Sequence, residues 1–316
     1  MAGACCNERF ICPSLNCHVN GGKSFEPIFT LSAGSMPFAG PVRQEKAMIE
    51  TAHQFEGLAE FYEAGRPGYP PAVFAHLARI CPARSGLKVA VDVGAGPGNS
   101  TGDLLTGLGD GWSVIAAEPG EDMRHVLMRR FRNTPQVQII GAPAEQLSLP
   151  PDFASLVVAC SAVHWFDRPK FYAEAARILS PGGILAVVRN RRRPGQIFDG
   201  FDAYVWKHYP NSAELEAREQ RKEPSHEELS GLDGFLTAHS RRWPWSRAFT
   251  ARELIDFYLT RAVVWTVVRR LGLSRVMADF RDICASHGLS GETRMDMHFD
   301  TLVRWTQRRA RPARTG

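Results

Sequence analysis

The 316-residue sequence predicts an α/β fold built on a doubly wound, parallel sheet. Apolar strand segments alternate with helical segments over residues 72–190. The segment at residues 88–94 is apolar without strict alternation, as expected for a central parallel strand that is covered on both faces. A turn with three glycines joins it to a helix. In such a fold the crossovers are right-handed and a ligand lies at the carboxyl ends of the strands.

The elements are predicted in the following order. A helix over residues 49–64 ends at the segment RPGYPP, and a second helix covers residues 72–81. The predicted strands of the sheet cover residues 88–94, 113–119, 137–143, 153–162 and 181–190. The predicted helices between them cover residues 99–108, 120–131 and 168–179. Beyond residue 190 we expect mostly helices, with an edge strand interrupted by proline over residues 239–249, helices over 250–268 and 273–287, and a late strand near residue 297.

This pattern divides the chain into four parts. Residues 1–48 are predicted to be a disordered, cysteine-rich leader and linker, and residues 49–190 a ligand-binding core with an entry helix. Residues 191–292 form a mostly helical cap that contacts a substrate, and residues 293–316 carry a final strand and a basic tail.

Composition sets limits on the class of protein. The net charge of +5 does not by itself indicate a nucleic-acid partner, and no run of about 18 apolar residues could cross a bilayer. We therefore expect a soluble, cytoplasmic protein without a membrane partner, and a homodimer is left open. Four of the seven cysteines lie in the first 17 residues with spacings that do not fit a zinc knuckle, so no metal is expected. The other three, Cys81, Cys160 and Cys284, are predicted to be reduced and mostly buried.

The glycine turn lies in the segment VAVDVGAGPGNST, residues 89–101. A dinucleotide-binding turn would need a glycine where Asn99 stands, and a phosphate loop would need Gly-Lys-Ser/Thr. Asp92, at the end of the first strand, would repel a pyrophosphate but attract an ammonium group. Glu118, at the end of the second strand, suits two adjacent ribose hydroxyls. The ligand should therefore offer an amine, a carboxylate, a ribose and a base, and S-adenosylmethionine offers all four.

Four segments in order resemble motifs of the class I S-adenosylmethionine-dependent methyltransferases. They are VDVGAGPGNST, AAEPGEDM, GAPAEQLSLP and ARILSPGG, and the resemblance extends over roughly residues 55–190. It implies a Rossmann-like methyltransferase sheet and a set of cofactor-binding residues. By this resemblance the cofactor contacts Asp92, Gly94, Ala95, Gly96, Gly98, Glu118, Pro119, Met123, Ala144 and Glu145.

A narrower resemblance is to the type 11 subgroup that includes proteins similar to trans-aconitate methyltransferase. It rests on FYEAGRPGYPP (residues 61–71) and SAVHWFD (residues 161–167), where Ser161 replaces the subgroup's usual glutamine. The resemblance implies that Tyr62, Arg66 and Tyr69 fold over the cofactor, with Arg66 paired to its methionine carboxylate. It adds Ser161 and Ala162 to the cofactor contacts.

The acceptor side of the site is less well defined. His164 follows the fourth strand and is predicted either to accept a proton from an attacking hydroxyl or to pack and shape the pocket. Tyr69, Trp165 and Trp206 are predicted to line the acceptor pocket. The basic segments at residues 189–193 and 304–314 are expected to be solvated surface.

The sequence thus predicts a methyltransferase that acts on an oxygen atom of a small molecule in specialised metabolism. Two alternatives stay open. One is a related enzyme that binds S-adenosylmethionine but catalyses a cyclisation or rearrangement. The other is a methyltransferase for RNA or protein, which only the basic tail would support.

Overall fold

The computed structural model describes residue 62 and residues 65–82, 88–220 and 222–310. These residues form a seven-stranded mixed sheet in the order β3-β2-β1-β4-β5-β7-β6. The strands are β1 (Lys88–Val93), β2 (Trp112–Ala117), β3 (Val137–Ile140), β4 (Ala154–Cys160), β5 (Leu179–Arg192), β6 (His239–Phe249) and β7 (Met295–Gln307). Strands β1 to β5 pair in parallel, and β7 lies antiparallel between β5 and β6. The predicted doubly wound α/β class is confirmed.

Helices flank the sheet and follow the strands. They are α1 (Pro71–Ile80), α2 (Asn99–Leu108), α3 (Glu121–Phe131), α4 (Arg168–Ile178), α5 (Gln196–His208), α6 (Ser212–Gln220), α7 (His226–Ser230), α8 (Ala251–Leu259), α9 (Ala262–Leu271) and α10 (Leu273–Ser286). A 3-10 turn, Val163–Trp165, follows β4. The predicted leader and most of the predicted first helix lie outside the described residues.

Strand β5 is longer than predicted. It continues through Arg192 because β7 pairs with it as far as the Arg192–Phe299 position, two residues beyond the predicted end at Asn190. The strand therefore carries its last arginines along the sheet and does not release them into a loop.

Two other boundaries differ from the prediction. Pro244 does not interrupt β6, since this strand is at the edge of the sheet and pairs on one side only, with Pro244 opposite Asp300. The helix predicted over residues 250–268 is divided into α8 and α9. At the division the Thr260 hydroxyl donates to the Phe257 carbonyl at 2.6 Å, and Arg261 has extended backbone angles.

Three large apolar clusters hold these layers together. Two of them lie on opposite faces of the sheet, and the third lies under helices α5 and α8 to α10. The third contains the aromatic residues Phe198, Phe201, Tyr258, Phe280 and Phe299, all at most 3% exposed. Burial of large aromatic side chains dominates the stability of such a core. The cap helices are thereby fixed against β7 above the carboxyl end of β5.

The three cysteines within the described ranges, Cys81, Cys160 and Cys284, are buried thiols, as predicted. In those same ranges every helix is too short or too polar to cross a membrane.

Candidate active site

The glycine turn packs tightly on two sides and is open on a third. Gly94 and Gly98 have φ angles of +70° and +92°, which favour glycine. A Cβ at Gly94 would lie 2.7 Å from the Cβ of Ala162, and one at Gly98 would lie 2.6 Å from Leu127. A Cβ at Gly96 would meet no atom within 4 Å. The middle glycine therefore presents backbone to open space, where a ligand can approach closely.

Glu118 closes one side of this turn. Its Oε2 accepts a hydrogen bond from the Gly96 amide at 2.9 Å, and its Oε1 accepts one from the Gly120 amide at 2.8 Å. Burial raises the pKa of the Glu118 carboxyl, while these two amides act to lower it. The predicted ribose-binding carboxylate is thus locked in place beside the glycine turn.

Asp92 is fully buried at the end of β1. Its Oδ2 accepts hydrogen bonds of 2.8 Å from the hydroxyls of Ser100 and Thr101 in the first turn of α2. Its Oδ1 has no hydrogen-bond partner among the described residues, and burial raises the pKa of the carboxyl to about 6. Asp92 therefore anchors the start of α2 and keeps one oxygen available for a cation, which fits the ammonium group predicted from the sequence.

Asn99, the residue that excludes a dinucleotide fingerprint, has a structural role of its own. Its Nδ2 donates to the carbonyl of Arg66 at 3.3 Å, and its Oδ1 accepts from Arg130 at 2.8 Å. The Arg66 side chain donates to the Tyr62 hydroxyl and lies 4.7 Å from the centre of the Tyr62 ring. The predicted entry segment is therefore held against the glycine turn.

The residues predicted on the adenine side are near the turn but engaged with protein. Met123 is 6% exposed in a small cluster with Val126 and Tyr62. Ala144 belongs to the sheet core. The Oε1 of Glu145 accepts from the Asp167 amide at 2.7 Å. Contact of these residues and of the exposed Pro119 with adenine stays a prediction.

A cavity of about 110 Å³ lies beside the turn, between the entry segment, the end of β4 and the cap helices. Six of the predicted site residues line it: Tyr62, Arg66, Tyr69, Ser161, His164 and Trp165. The remaining lining residues were not predicted: Pro67, Arg189, Asn190, Arg192, Lys222, Phe257, Thr260, Arg261, Ala262, Val263 and Phe299. The cavity is therefore built by both the core and the cap, with Phe299 added from β7.

The prediction of a solvated surface for the basic segment at residues 189–193 was wrong for Arg189 and Arg192. Arg189 and Arg192 line the cavity with only 22% and 20% of their side chains exposed, because β5 extends under the cap. In the tail, Arg304 is 20% exposed and pairs with Glu223 in place of solvent. The signal in the sequence for this side of the cavity was the run of arginines at residues 189–193. We predicted that the run faces solvent, whereas two of its arginines line the cavity.

Trp206 was predicted to line the acceptor pocket, and this is wrong. It is 41% exposed on α5 and does not line the cavity. The helix turns Phe198, Phe201 and Val205 into the cap core, so the next residue points about 100° away from that face.

The strand order, the glycine turn after β1 and the carboxylate after β2 define a class I S-adenosylmethionine-dependent methyltransferase. The sequence profile of the methyltransferase domain family matches residues 91–187. An uncharacterized methyltransferase of Mycobacterium tuberculosis is 30% identical over 232 residues, which span 72% of this chain and 83% of the relative. A candidate methyltransferase of Dictyostelium discoideum is 28% identical over 134 residues, 42% of this chain and 48% of the relative. Among solved structures, a candidate type II methyltransferase of Anaeromyxobacter dehalogenans shares the fold, with a TM-score of 0.55, 23% identity, and coverage of 77% of this chain and 97% of that one.

The chain belongs to the type 11 family of class I methyltransferases. It is an S-adenosylmethionine-dependent methyltransferase, and S-adenosylmethionine is its cofactor. The residues present fit this cofactor: Asp92 has an unpartnered oxygen for an ammonium, Gly96 has an open face, and Glu118 is a fixed acceptor for hydroxyls.

Proposed function

We propose that this methyltransferase acts on a small molecule and transfers the methyl group to an oxygen atom, a hydroxyl or a carboxylate, in a biosynthetic pathway of specialised metabolism. The observation that carries the proposal is the cavity of about 110 Å³ beside the cofactor residues, bounded by the cap. A concave site with several convergent polar side chains beside aromatic ones is typical of a site for a small molecule.

Bound S-adenosylmethionine supplies an activated methyl group, so this chain has mainly to position the acceptor and keep water out. Trp165, Phe257 and Phe299 give the cavity an aromatic wall, against which an apolar part of the acceptor can pack. Tyr69 is buried, and burial is the largest cause that raises the pKa of its phenol well above the usual value. Tyr69 therefore stays protonated and positions Ser161 through a hydrogen bond, and we do not assign it the role of base.

His164 lines the same cavity and is the side chain that we propose accepts a proton from a hydroxyl acceptor. Its ring lies 4.8 Å from the ring of Trp165. For a carboxylate acceptor no base is needed, and His164 then positions the substrate. The proposed role of His164 therefore depends on the acceptor: it is a base for a hydroxyl and a positioning group for a carboxylate.

The basic tail gives little support to a nucleic-acid substrate. Within the described part of the tail, Arg304 pairs with Glu223 and Arg308 with Asp152, so both charges are already engaged. The predicted tail beyond residue 310 lies outside the described residues.

Transfer of a radioactive methyl group tests the proposal. The full chain is incubated with methyl-labelled S-adenosylmethionine and with separate small-molecule, RNA and protein fractions of a cell extract. We expect label in a small molecule whose mass has grown by one methyl group. Alkali releases the label from a methyl ester and leaves a methyl ether intact, which separates the two oxygen acceptors. Label in RNA or protein, label on carbon or nitrogen, or a product of unchanged mass that forms only with the cofactor would each contradict the proposal.

A further inference from the structure

The cap side of the cavity is lined by basic residues. Arg189 and Arg192 come from β5, Lys222 follows α6, and Arg261 stands between α8 and α9. Arg66 adds a fifth cation from the entry segment. The described residues that line the cavity include no aspartate or glutamate.

Three carboxylates stand behind these cations and outside the lining. Glu223 accepts from Arg189 at 2.8 Å, Asp202 from Arg261 at 2.8 Å, and Glu219 from Lys222. Two of these carboxylates also serve other arginines: Arg191 and Arg304 pair with Glu223, and Arg192 pairs with Asp202. Glu219 also lies 3.7 Å from Arg261. Among the residues that the structure describes, six cations therefore share these three carboxylates, and the cluster has a surplus of positive charge.

The geometry of two of these cations is fixed by an aromatic ring. The Arg192 and Arg261 guanidinium carbons lie 4.8 Å and 4.9 Å from the centre of the Tyr258 ring, and both side chains reach Asp202. Tyr258 is fully buried and donates to Asp202 at 2.9 Å. A fork of two guanidinium groups held in this way is preorganised for a planar or tetrahedral anion.

The surplus charge affects the protonation of the cluster. Burial, and next the nearby Arg261, lower the pKa of Arg192 to about 9 and that of Lys222 to about 7. Burial also lowers the pKa of Arg189. Buried cations without enough counter-charge are costly, so an anion that enters the cavity would relieve a repulsion already present.

We propose that the methyl acceptor carries a fixed carboxylate or phosphate group, which Arg189, Arg192, Lys222 and Arg261 bind on the cap side of the cavity. The inference rests on the proposed small-molecule function and specifies its substrate class. Arg66 is left for the carboxylate of the cofactor. The aromatic wall of Trp165, Phe257 and Phe299 receives the apolar part of the same molecule.

Three probes with a common phenyl body test the proposal: benzoate, phenyl phosphate and the neutral benzamide. Each is titrated by calorimetry into the full chain saturated with S-adenosylhomocysteine. We expect at least one of the two anions to bind about tenfold or more tightly than benzamide, as charge-assisted contacts to a buried fork imply. The comparison of benzoate with phenyl phosphate shows which of the two anions the site prefers.

The variant Lys222→Met removes one charge and keeps most of the side-chain volume. It is expected to weaken binding of the preferred anion about tenfold and to leave S-adenosylhomocysteine affinity unchanged. The matched control is Arg275→Met, which removes a 71% exposed arginine paired with Asp279 on α10 and should change neither affinity. If Lys222→Met does not fold, Arg189→Met is used with the same expectation.

Equal binding of benzamide and both anions, no binding of either anion at millimolar concentration, or unchanged anion affinity in a folded Lys222→Met variant would overturn the inference. The outcome is separable from that of the proposed function. Anion-selective binding without methyl transfer to any small molecule would contradict the function and retain the anion site. Methyl transfer to an uncharged small molecule would retain the proposed function and contradict the anion site.

Discussion

Tyr69 donates a hydrogen bond of 2.9 Å to the hydroxyl of Ser161, and this bond joins the entry segment to the end of β4. Ser161 has a φ of +53°, which is uncommon for a residue with a side chain. The bond and the strained backbone occur together at the place where the cofactor residues meet the cavity. Serine at this position, where the subgroup usually has glutamine, therefore has a defined partner within the protein.

We expect Tyr69→Phe to loosen this junction. Loss of one hydrogen bond of this kind costs about 1 kcal/mol of stability and leaves the Ser161 hydroxyl without its donor. S-adenosylhomocysteine affinity should fall several-fold, since the entry segment is less firmly held. The control is Tyr172→Phe, which removes a 2.7 Å bond to Glu228. It should lower the melting temperature by a similar amount without affecting cofactor affinity. Equal cofactor affinity in both variants would contradict this role of Tyr69.

Removal of the Glu118 carboxylate should weaken cofactor binding. In Glu118→Ala the Gly96 amide loses its acceptor and a ribose loses its predicted partner, so we expect affinity for S-adenosylmethionine to fall ~10-fold or more. Calorimetry measures the change. Glu121→Ala is the matched control, because the Glu121 side chain is 74% exposed only three residues away. Unchanged affinity in Glu118→Ala would reject the ribose assignment.

From the raised pKa of Asp92 we predict that cofactor binding depends on pH. Burial raises the pKa of its carboxyl to about 6, and a ligand ammonium would lower that pKa by favouring the ionised form. S-adenosylhomocysteine should therefore bind more weakly as the pH falls below about 6, by up to about tenfold per pH unit. Asp92→Asn should bind weakly with this dependence removed. A dependence that persists in Asp92→Asn would assign it to another group.

The raised pKa of Asp92 changes the stability of the free protein with pH in the direction opposite to its effect on cofactor affinity. A carboxyl whose folded pKa exceeds its unfolded value stabilises the fold while it is protonated, and that contribution is lost as the pH rises through about 6. Thermal unfolding of the free protein should show this loss, and Asp92→Asn should reduce it.

The positions of the predicted cofactor residues on the sheet were predictable because these residues follow one another locally, while their contacts with the cofactor stay a prediction. The turn from Gly94 to Gly98 and Glu118 lie at the ends of apolar strands, and their spacing in the chain fixes their position at the sheet edge. Tyr62, Arg66 and Tyr69 were found through their resemblance to a motif, not through spacing alone.

The acceptor half was not predictable from local patterns. Arg189, Lys222 and Arg261 come from separate parts of the chain. They meet only because the cap core packs α5, α6 and α8 to α10 against β7. Nothing within a few residues of each cation distinguishes it from a surface arginine or lysine. The prediction that Trp206 lines the acceptor pocket was wrong for the same reason, since the direction of its side chain depends on which face of α5 the cap buries.

His164 is expected to affect turnover and not cofactor affinity. If the acceptor is a hydroxyl, His164→Ala should lower kcat by about 100-fold or more, since general-base catalysis contributes at least that much. S-adenosylhomocysteine affinity serves as the internal control and should stay within about twofold. If the acceptor is a carboxylate, the variant should instead raise KM with little change in kcat. Unchanged kcat and KM would show that His164 only packs in the cavity wall.

From the lowered pKa of Lys222 we predict that anion binding weakens as the pH rises. The pKa of Lys222 is lowered to about 7 by burial and by Arg261, while Glu219 acts to raise it and Arg189 to lower it. An anion favours the protonated amine, so benzoate affinity should fall above about pH 7, by up to about tenfold per pH unit until the pKa of the complex is reached. Benzoate stays ionised over this range, because carboxyl groups titrate near pH 4.

Calorimetry in buffers of different ionisation enthalpy should show proton uptake near pH 8. Lys222→Met should abolish both the uptake and the pH dependence, whereas Arg275→Met should retain them. Constant benzoate affinity between about pH 6 and pH 9 in the unmodified protein would contradict the protonation of Lys222 on binding.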